Sequence, residues 1–293
     1  MSKLIVALRR RREAGAALLF LLPSLAGFGA FYAAPFGMAI VYSFTDRTIG
    51  GSFVGLDNYY ALFASLSFRK AAGNTLLFTA ASVPLLIAVS LGLAVILNGK
   101  VVLKRWLQTS FVLPLVVPVA SIVAVCRIFL DWNGTLNAWL HGWGLERVDW
   151  LQSRCSMAVL AALFLWKNAG YNMILLLAGL QSIPASYYET ARIEGAGPFR
   201  QFWSITLVYL TPTLVLVVLL SIVNSFKIFR EIYMLAGDYP YDTIYMLQHY
   251  MNNMFLSLDI QKMTAAAVVM VAFMLLLVSG LFRFEKWFRS FTE

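Results

Sequence analysis

The sequence predicts an all-α integral membrane protein that crosses a bilayer with six helices. Of its 293 residues, 60% are hydrophobic and only 13% are charged, and the mean hydropathy is +0.75. Soluble domains carry about 25% charged residues, so this composition excludes an ordinary soluble protein. Six long apolar segments, each near the roughly 20 residues that a helix needs to cross the hydrocarbon core, set the number of spans.

The first apolar segment, residues 14–44, follows a basic N-terminus, residues 1–13. A basic start before an apolar run is also the pattern of a cleaved signal peptide. This run is longer than a signal-peptide core of about 7–15 residues, and further spans follow, so we expect an uncleaved first helix. Pro23 and Pro35 can break or kink that helix, because proline removes a backbone donor.

Five further segments have the length and hydropathy of transmembrane helices. We place them at residues 74–97, 107–130, 157–180, 207–232 and 263–282. Pro84, Pro114 and Pro118 fall inside the second and third spans, where neighbouring helices can satisfy the freed backbone groups. The predicted transmembrane domain is therefore residues 14–282, followed by a short C-terminus at 283–293.

Basic residues are distributed unevenly between the two sides of the predicted helices. Six spans put both termini on one side, and that side carries 13 lysines and arginines against seven on the other. Cytoplasmic segments of membrane proteins carry the excess of Lys and Arg. We therefore predict that both termini and the loop at residues 182–206 face the cytoplasm. The net charge of +9 then needs no nucleic-acid partner to explain it, and none is expected.

The loop at residues 182–206 is predicted to fold as a helix, a tight turn and a second helix. Ser186 and Glu189 have the S-x-x-E spacing of a capping box, and Pro184 suits an N-terminal turn. Gly195 is expected to end the first helix, because glycine accepts the left-handed backbone conformation. The second helix then runs into the fifth span.

The first of these two helices is about nine residues long and needs support from outside itself. Isolated helices are marginally stable only above about 12–15 residues. Tyr188, Ala191 and Gly195 lie on one face of it, with small side chains that permit close approach. A membrane surface and a groove on a partner protein are equally compatible with this pattern.

Several motifs of the chain resemble those of one transport family. Residues 189–191 (E-T-A) and 194–196 (E-G-A), with Ile205 and Pro212, resemble the E-A-A-x-x-D-G-A…I…P signature of the inner-membrane permeases of ABC importers. The resemblance is greatest to the carbohydrate-uptake branch, the maltose-permease type. Supporting motifs along nearly the whole chain are S-F-T-D (43–46), G-L-D-N-Y (55–59), N-T-L-L-F-T (74–79), L-P-x-x-x-P (113–118), W-K-N-A-G-Y-N-M (166–173) and G-L-Q-S-I-P (179–184).

The chain departs from the family pattern at a few positions. Thr190 stands for the usual Ala, Glu194 for Asp and Val208 for a common Pro, but the acidic residue and the turn glycine are kept. After the fifth span, Gly237-Asp238-Tyr239-Pro240 replaces the family's G-G-P. This second departure concerns an external loop that could contact a binding protein.

The resemblance implies that residues 182–206 contain the coupling helix, which docks on a cytoplasmic ATPase subunit. It assigns Glu189, Ala191, Glu194 and Gly195 to that contact. The chain has no G-x-x-x-x-G-K-[ST] phosphate loop, so ATP and Mg²⁺ belong to the partner ATPase, and no enzyme activity, cofactor or metal is expected here. The implied partners are a homologous second permease, two ATPase subunits, an extracytoplasmic solute-binding protein and membrane lipid, in a bacterial or archaeal plasma membrane.

Polar side chains inside the fourth and fifth spans are candidates for a translocation path, because desolvation makes such groups costly. The candidates are Lys167, Asn168, Tyr171, Asn172, Ser221, Asn224 and Ser225. Interhelical hydrogen bonding that only joins the helices is the plain alternative. In that alternative Lys167 pairs with a carboxylate of the companion subunit, and Lys227 extends toward the membrane surface. The resemblance favours a sugar path for Asn168, Tyr171, Asn224 and Ser225.

Other transport classes and an intramembrane enzyme fit the sequence less well. A secondary transporter predicts an internal repeat and a carboxylate buried deep in a span, and the sequence places neither. An intramembrane enzyme predicts a nucleophile with a base or a metal cluster at membrane depth, and none stands out. An ABC permease for a polyol or glycerol phosphate remains an open alternative to a sugar permease.

Overall fold

The computed structural model describes residues 19–99 and 101–289. This part of the chain is helical, and its one strand-like feature is an antiparallel bridge between Thr45 and Phe53. In chain order the helices are α1 Leu19–Tyr42, α2 Asp57–Ala64, α3 Leu66–Asn98, α4 Lys104–Val116, α5 Val119–Leu130, α6 Thr135–Gly142, α7 Ser156–Gln181, α8 Ala185–Ile193, α9 Pro198–Gln201, α10 Leu207–Phe226, α11 Phe229–Ala236, α12 Leu247–Leu256 and α13 Ile260–Arg289.

Six helical stretches of the described chain are long and apolar enough to cross a membrane. They are Leu19–Tyr42, Leu66–Asn98, Val119–Gly142, Ser156–Gln181, Pro198–Ala236 and Ile260–Trp287. The predicted all-α fold with six spans is confirmed. The basic segment 1–13, Lys100 and residues 290–293, for which we predicted cytoplasmic positions, lie outside the described residues.

The third span differs from the prediction of one helix over residues 107–130. The structure divides it into α4 and α5, and Val117 between them is extended, with ψ at 131°. Pro118 causes this break, because the residue before a proline avoids the α conformation and the proline itself lacks a backbone donor. The second span, predicted from residue 74, begins at Leu66, where the Ser65 hydroxyl accepts a hydrogen bond from the Phe68 amide at 3.4 Å.

The described chain forms two compact units. One comprises residues 19–64 and Met254–Val271, and the other comprises Ser65–Asn253 and residues 272–289. In the first unit α1 contains one π-helical turn, Gly29–Ala33, in which the Ala34 amide donates to the Gly29 carbonyl. This turn precedes Pro35, whose ring would otherwise clash with the helix turn before it. The predicted distortion is therefore confirmed at Pro35, whereas the helix continues through Pro23 without a break.

Two of the family-like motifs are joined in the first unit. The hydroxyls of Ser43 and Tyr59 lie 2.7 Å apart, and the Asn58 amide donates to the carbonyls of Ser43 and Thr45 at 3.1 and 2.9 Å. The S-F-T-D and G-L-D-N-Y motifs therefore hydrogen-bond to each other, and these bonds fix the conformation of the chain that leaves α1.

The core of the second unit lies between α3, α7 and α10. Phe78 of α3 and Phe164 of α7 are buried and meet edge to face with ring centroids 5.4 Å apart. A second apolar cluster, nearer the end of α7, joins Leu177 to Leu210 and Val217 of α10. These contacts hold α7 and α10, the two helices that carry the candidate path residues.

Two glycines of α7 allow its neighbours to approach closely. A Cβ at Gly170 would overlap the backbone carbonyl of Phe111 in α4. A Cβ at Gly179 would lie 2.7 Å from side-chain atoms of Leu210 and Thr213 in α10. Small residues at helix crossings are the usual means of tight packing between membrane helices, because the hydrophobic effect does not drive helices together in lipid.

Candidate functional site

The segment at residues 182–206, which we call the coupling segment, folds as helix, turn and helix as predicted. The helix α8 begins directly after Pro184, whose backbone is extended. The predicted capping box is wrong, because Ser186 lies inside the first turn and no side chain caps the helix. Pro184 itself sets the start, since its missing donor costs nothing at a helix N-terminus.

Gly195 ends α8 in a Schellman turn. Its φ is +80°, its amide donates to the Arg192 carbonyl at 3.0 Å, and the Ala196 amide reaches back to the Ala191 carbonyl at 2.8 Å. These two bonds satisfy helix carbonyls that would otherwise have no partner. The position favours glycine because of its positive φ and not for lack of space, since a Cβ there would meet nothing within 4 Å. The predicted turn at Gly195 is confirmed.

The structure supplies a support for α8 that the sequence did not indicate. The Tyr188 hydroxyl lies 2.9 Å from the Thr206 hydroxyl at the base of the fifth span, and its ring packs on the second apolar cluster. A cavity of about 270 Å³ lies alongside, bordered by Tyr188, Arg192 and Asn98 of α3. The expectation that Tyr188 belongs to an external docking face is therefore wrong, because it anchors α8 to the chain's own helices.

The remaining predicted coupling residues are accessible. Glu189, Glu194 and Gly195 are exposed, and Ala191 is half-buried. Apolar side chains that the sequence analysis did not select accompany them: Ile193 is 87% exposed and Phe199 is 77% exposed. Exposed aromatic and branched residues on a charged loop indicate a docking surface. Hydropathy averaged over a window does not detect such single apolar residues among charged ones.

A polar cavity of about 140 Å³ lies within the second unit, between α4, α7 and the fifth span. Leu115, Phe164 and Ile228 supply apolar wall. Its polar lining residues are Lys167, Asn168, Asn224, Lys227, Arg230 and Glu231. Three of the predicted path residues, Lys167, Asn168 and Asn224, therefore border one space.

Lys167 and Glu231 form an ion pair beside this cavity. The Lys167 ammonium on α7 bonds the Glu231 carboxylate on α11, and the two side chains are 20% and 4% exposed. The expectation that Lys167 pairs with a carboxylate of a companion subunit is wrong, since its partner is in the same chain. The sequence argument that no carboxylate lies deep in a span is also wrong, because Glu231 is buried within the fifth span.

Most of the other predicted path residues bond between helices. The Asn172 amide donates to the Ser221 hydroxyl at 2.8 Å, and both residues are fully buried. The Ser225 hydroxyl lies 2.9 Å from the Thr79 hydroxyl of α3. These three polar residues join α3, α7 and α10, and they are not among the lining residues of the polar cavity.

Asn168 and Asn224 combine both kinds of contact. The Asn224 amide donates to the Asn168 side-chain oxygen at 3.3 Å, and the Asn168 amide donates to the Phe164 carbonyl at 2.8 Å. Asn224 is half-buried and lines the cavity, and no described residue donates to its side-chain oxygen, whereas Tyr171 is half-buried on α7 and is not among the lining residues. Asn224 is thus better placed than Tyr171 to meet a solute in the polar cavity.

The fifth span is interrupted at the cavity. The helix α10 ends at Phe226, α11 begins at Phe229, and Lys227 lies in the break. The amides of Lys227 and Glu231 bond carbonyls three residues back, at 3.1 Å each, rather than four. Discontinuous helices at membrane depth occur where the backbone lines a cavity or is covered by protein.

The spanning helices, the broken fifth span and the polar cavity define a polytopic membrane transport protein. The chain belongs to the family of binding-protein-dependent transport system inner membrane components, whose pattern matches residues 85–290. The predicted resemblance to ABC importer permeases is confirmed by this membership and by the relatives.

Three similar proteins illustrate the family. The sn-glycerol-3-phosphate transport system permease protein UgpA of Yersinia enterocolitica is 31% identical over 278 residues, which cover 92% of this chain and 93% of that protein. The arabinooligosaccharides transport system permease protein AraP of Bacillus subtilis is 35% identical over 223 residues, covering 74% and 71%. The sulfoquinovosyl glycerol transport system permease protein SmoG of Agrobacterium fabrum is 31% identical over 223 residues, covering 75% and 72%.

A solved structure shares the fold over nearly the full length of the chain. It is the crystal structure of a bacterial ABC transporter that imports the acidic polysaccharide alginate, with a TM-score of 0.80 and 24% identity. The alignment covers 97% of this chain and 98% of that one.

Proposed function

We propose that this chain is the permease subunit of an ATP-driven importer of carbohydrates, that it forms half of the translocation path, and that it docks an ATPase through the coupling segment. The observation that carries the proposal is the exposed turn at Gly195, whose helix is joined to the fifth span through Tyr188 and Thr206. A displacement of α8 by a bound ATPase is transmitted by this connection to the helix that borders the polar cavity.

The orientation follows from the charge distribution in the sequence. The side that holds both termini and the coupling segment carries 13 basic residues against seven on the opposite side. We assign that side to the cytoplasm, where an ATPase has access to nucleotide. A multi-pass protein of a bacterial or archaeal plasma membrane, with both termini inside, is the arrangement that results.

The size of the polar cavity supports a path shared by two subunits. Small-molecule sites have volumes of about 300–1,000 Å³, and the cavity of this chain is about 140 Å³. A homologous second permease facing it would complete a space of suitable size. A binding protein delivers the solute from outside, and two ATPase subunits, which hold ATP and Mg²⁺, alternate the pair between inward-facing and outward-facing states.

Carbohydrate as the cargo is supported by the relatives. Their names refer to arabinooligosaccharides, sulfoquinovosyl glycerol, and trehalose and maltose. A permease for glycerol phosphate is the second candidate, because the Yersinia relative that covers 92% of this chain is named for sn-glycerol-3-phosphate. The ion pair of Lys167 with Glu231 counts against a secondary transporter, since Glu231, the one acidic residue among the described lining residues of the cavity, is already neutralised.

Docking can be tested by co-purification of the ATPase. The chain, its companion permease and the ATPase are co-expressed with Ile193→Asp or with Ile49→Asp as the control. Both isoleucines are almost fully exposed, at 87% and 89%, so the substitutions disturb no packing. We expect Ile193→Asp to lose most of the co-purified ATPase, and Ile49→Asp to retain it. Equal recovery of the ATPase with both variants would contradict the docking assignment.

A further inference from the structure

Two cations at the polar cavity have no partner in the described part of the chain. Lys167 is neutralised by Glu231, the single acidic residue of the lining. Lys227 and Arg230 also line the cavity and are exposed, and neither forms an ion pair with a described residue. The cavity wall of this chain therefore carries an excess of two positive charges.

These charges lie where an unpaired ion is costly. Lys227 and Arg230 belong to the fifth span, Pro198–Ala236, and Lys227 occupies the break between α10 and α11. Ionisable groups inside spans face water-filled cavities or pair with an opposite charge, and they mark solute pathways. A solute with an anionic group would provide the missing counter-charge while it occupies the cavity.

Neutral hydrogen-bonding groups stand next to these cations. Asn168 and Asn224 border the same cavity, and Asn224 is half-buried with no hydrogen bond to its side-chain oxygen from another described residue. Side-chain amides form hydrogen bonds with hydroxyl groups, and Lys and Arg form charge-assisted bonds with carboxylate, sulfonate or phosphate groups. One cavity therefore offers partners to both parts of an acidic sugar.

From this arrangement we infer that the imported solute is anionic: a sugar or sugar-like polyol that bears a carboxylate, sulfonate or phosphate. Lys227 and Arg230 bind its charged group, and Asn224 binds a hydroxyl. This inference rests on the proposed function and specifies its substrate class. Among the carbohydrates that the proposed function allows, the inference selects the acidic ones over the neutral ones.

The test uses the complete transporter in proteoliposomes: this chain, its companion permease, the two ATPase subunits and the binding protein. Matched pairs of solutes are compared for ATP hydrolysis and uptake: trigalacturonate with galactotriose, glucose 6-phosphate with glucose, and sn-glycerol 3-phosphate with glycerol. We expect the acidic members to stimulate hydrolysis at least tenfold more than the neutral ones. Greater stimulation by a neutral sugar overturns the inference and leaves the proposed function intact, whereas a lack of stimulation by every solute overturns both.

Variants then connect the preference to the two cations. With the best acidic solute, Lys227→Gln and Arg230→Gln should each raise the half-saturating concentration roughly tenfold, because each removes a charge-assisted bond. Arg105→Gln is the matched control, since Arg105 is exposed and lies ten residues, or about 15 Å, before the cavity residue Leu115 along α4. Equal effects of all three substitutions would overturn the assignment of Lys227 and Arg230.

Discussion

Lys167 of α7 and Glu231 of α11 form a largely buried ion pair that joins the fourth and fifth spans next to the polar cavity. Burial removes both groups from water, and their mutual attraction offsets that cost only while both are present. The pair thus fixes α11 against α7 at the point where the fifth span is broken. It also neutralises the charge of Lys167, which leaves Lys227 and Arg230 as the cations of the cavity lining without an ion pair to a described residue.

Breaking this ion pair should destabilise the protein. In Glu231→Gln the Lys167 ammonium loses its counter-charge, and we expect a loss of about 3 kcal/mol of unfolding free energy. Thermal unfolding of the purified variant in detergent measures the effect, as a fall in Tm of roughly 6–12 °C. The double variant Lys167→Met with Glu231→Met removes both charges and should recover most of the loss. A single variant as stable as the wild-type protein would show that the pair contributes nothing.

Adding a methyl group at Gly170 should separate α7 from α4. A Cβ there would overlap the Phe111 carbonyl, which belongs to backbone and cannot rotate away. We expect Gly170→Ala to lower stability by about 1–3 kcal/mol, as overpacking does. Gly92→Ala in α3 is the control, since its Cβ meets open space and alanine favours a helix by up to about 1 kcal/mol. Equal Tm values for the two variants would contradict the close helix crossing.

Features that depend on neighbouring residues were predictable from the sequence. The turn at Gly195 follows from a glycine after a helical run, and the six spans follow from hydropathy alone. The break at Pro118 carried the same kind of local signal, but the predicted third span passed over it because proline is tolerated in membrane helices. Local chemistry therefore determines where the elements begin and end.

Contacts between distant segments were harder to predict. The sequence selected Lys167, because a charge inside an apolar run is visible without a structure, but its partner Glu231 is 64 residues away. Asn172 and Ser221 were selected as path residues by the same reasoning, yet they bond each other across α7 and α10. Polarity within a span shows that a group needs a partner, and only the fold decides whether that partner is protein or solute.

Acidification should destabilise the structure through His249. This residue of α12 is fully buried, its Nδ1 accepts the Met246 amide at 3.2 Å, and burial lowers its pKa to about 4, against the opposing effect of the Asp238 charge. Because the folded-state pKa lies below the unfolded value of 6.5, the stability is fully present above about pH 6.5. It falls as the pH drops toward 4, by up to about 3 kcal/mol.

The variant His249→Asn isolates this effect from the titration of carboxylates. Its side-chain oxygen can accept the Met246 amide, but it does not titrate. Thermal unfolding is measured for both proteins between pH 7.5 and 4.5. We expect Tm of the wild-type protein to fall more steeply than that of the variant below pH 6.5. Parallel curves would contradict a neutral buried histidine.

Coupling between the ATPase and transport should depend on the backbone conformation at Gly195. Valine cannot adopt a φ of +80° without strain of at least about 1–2 kcal/mol, so Gly195→Val should deform the Schellman turn. We expect this variant to insert into the membrane but to lose both uptake and solute-stimulated ATP hydrolysis. Gly197→Val is the matched control, because Gly197 has a φ of −69° and equally open space, and it should retain uptake. Asparagine tolerates the left-handed conformation, so Gly195→Asn should retain part of the activity. Normal uptake by Gly195→Val would show that the turn does not transmit the motion of the ATPase.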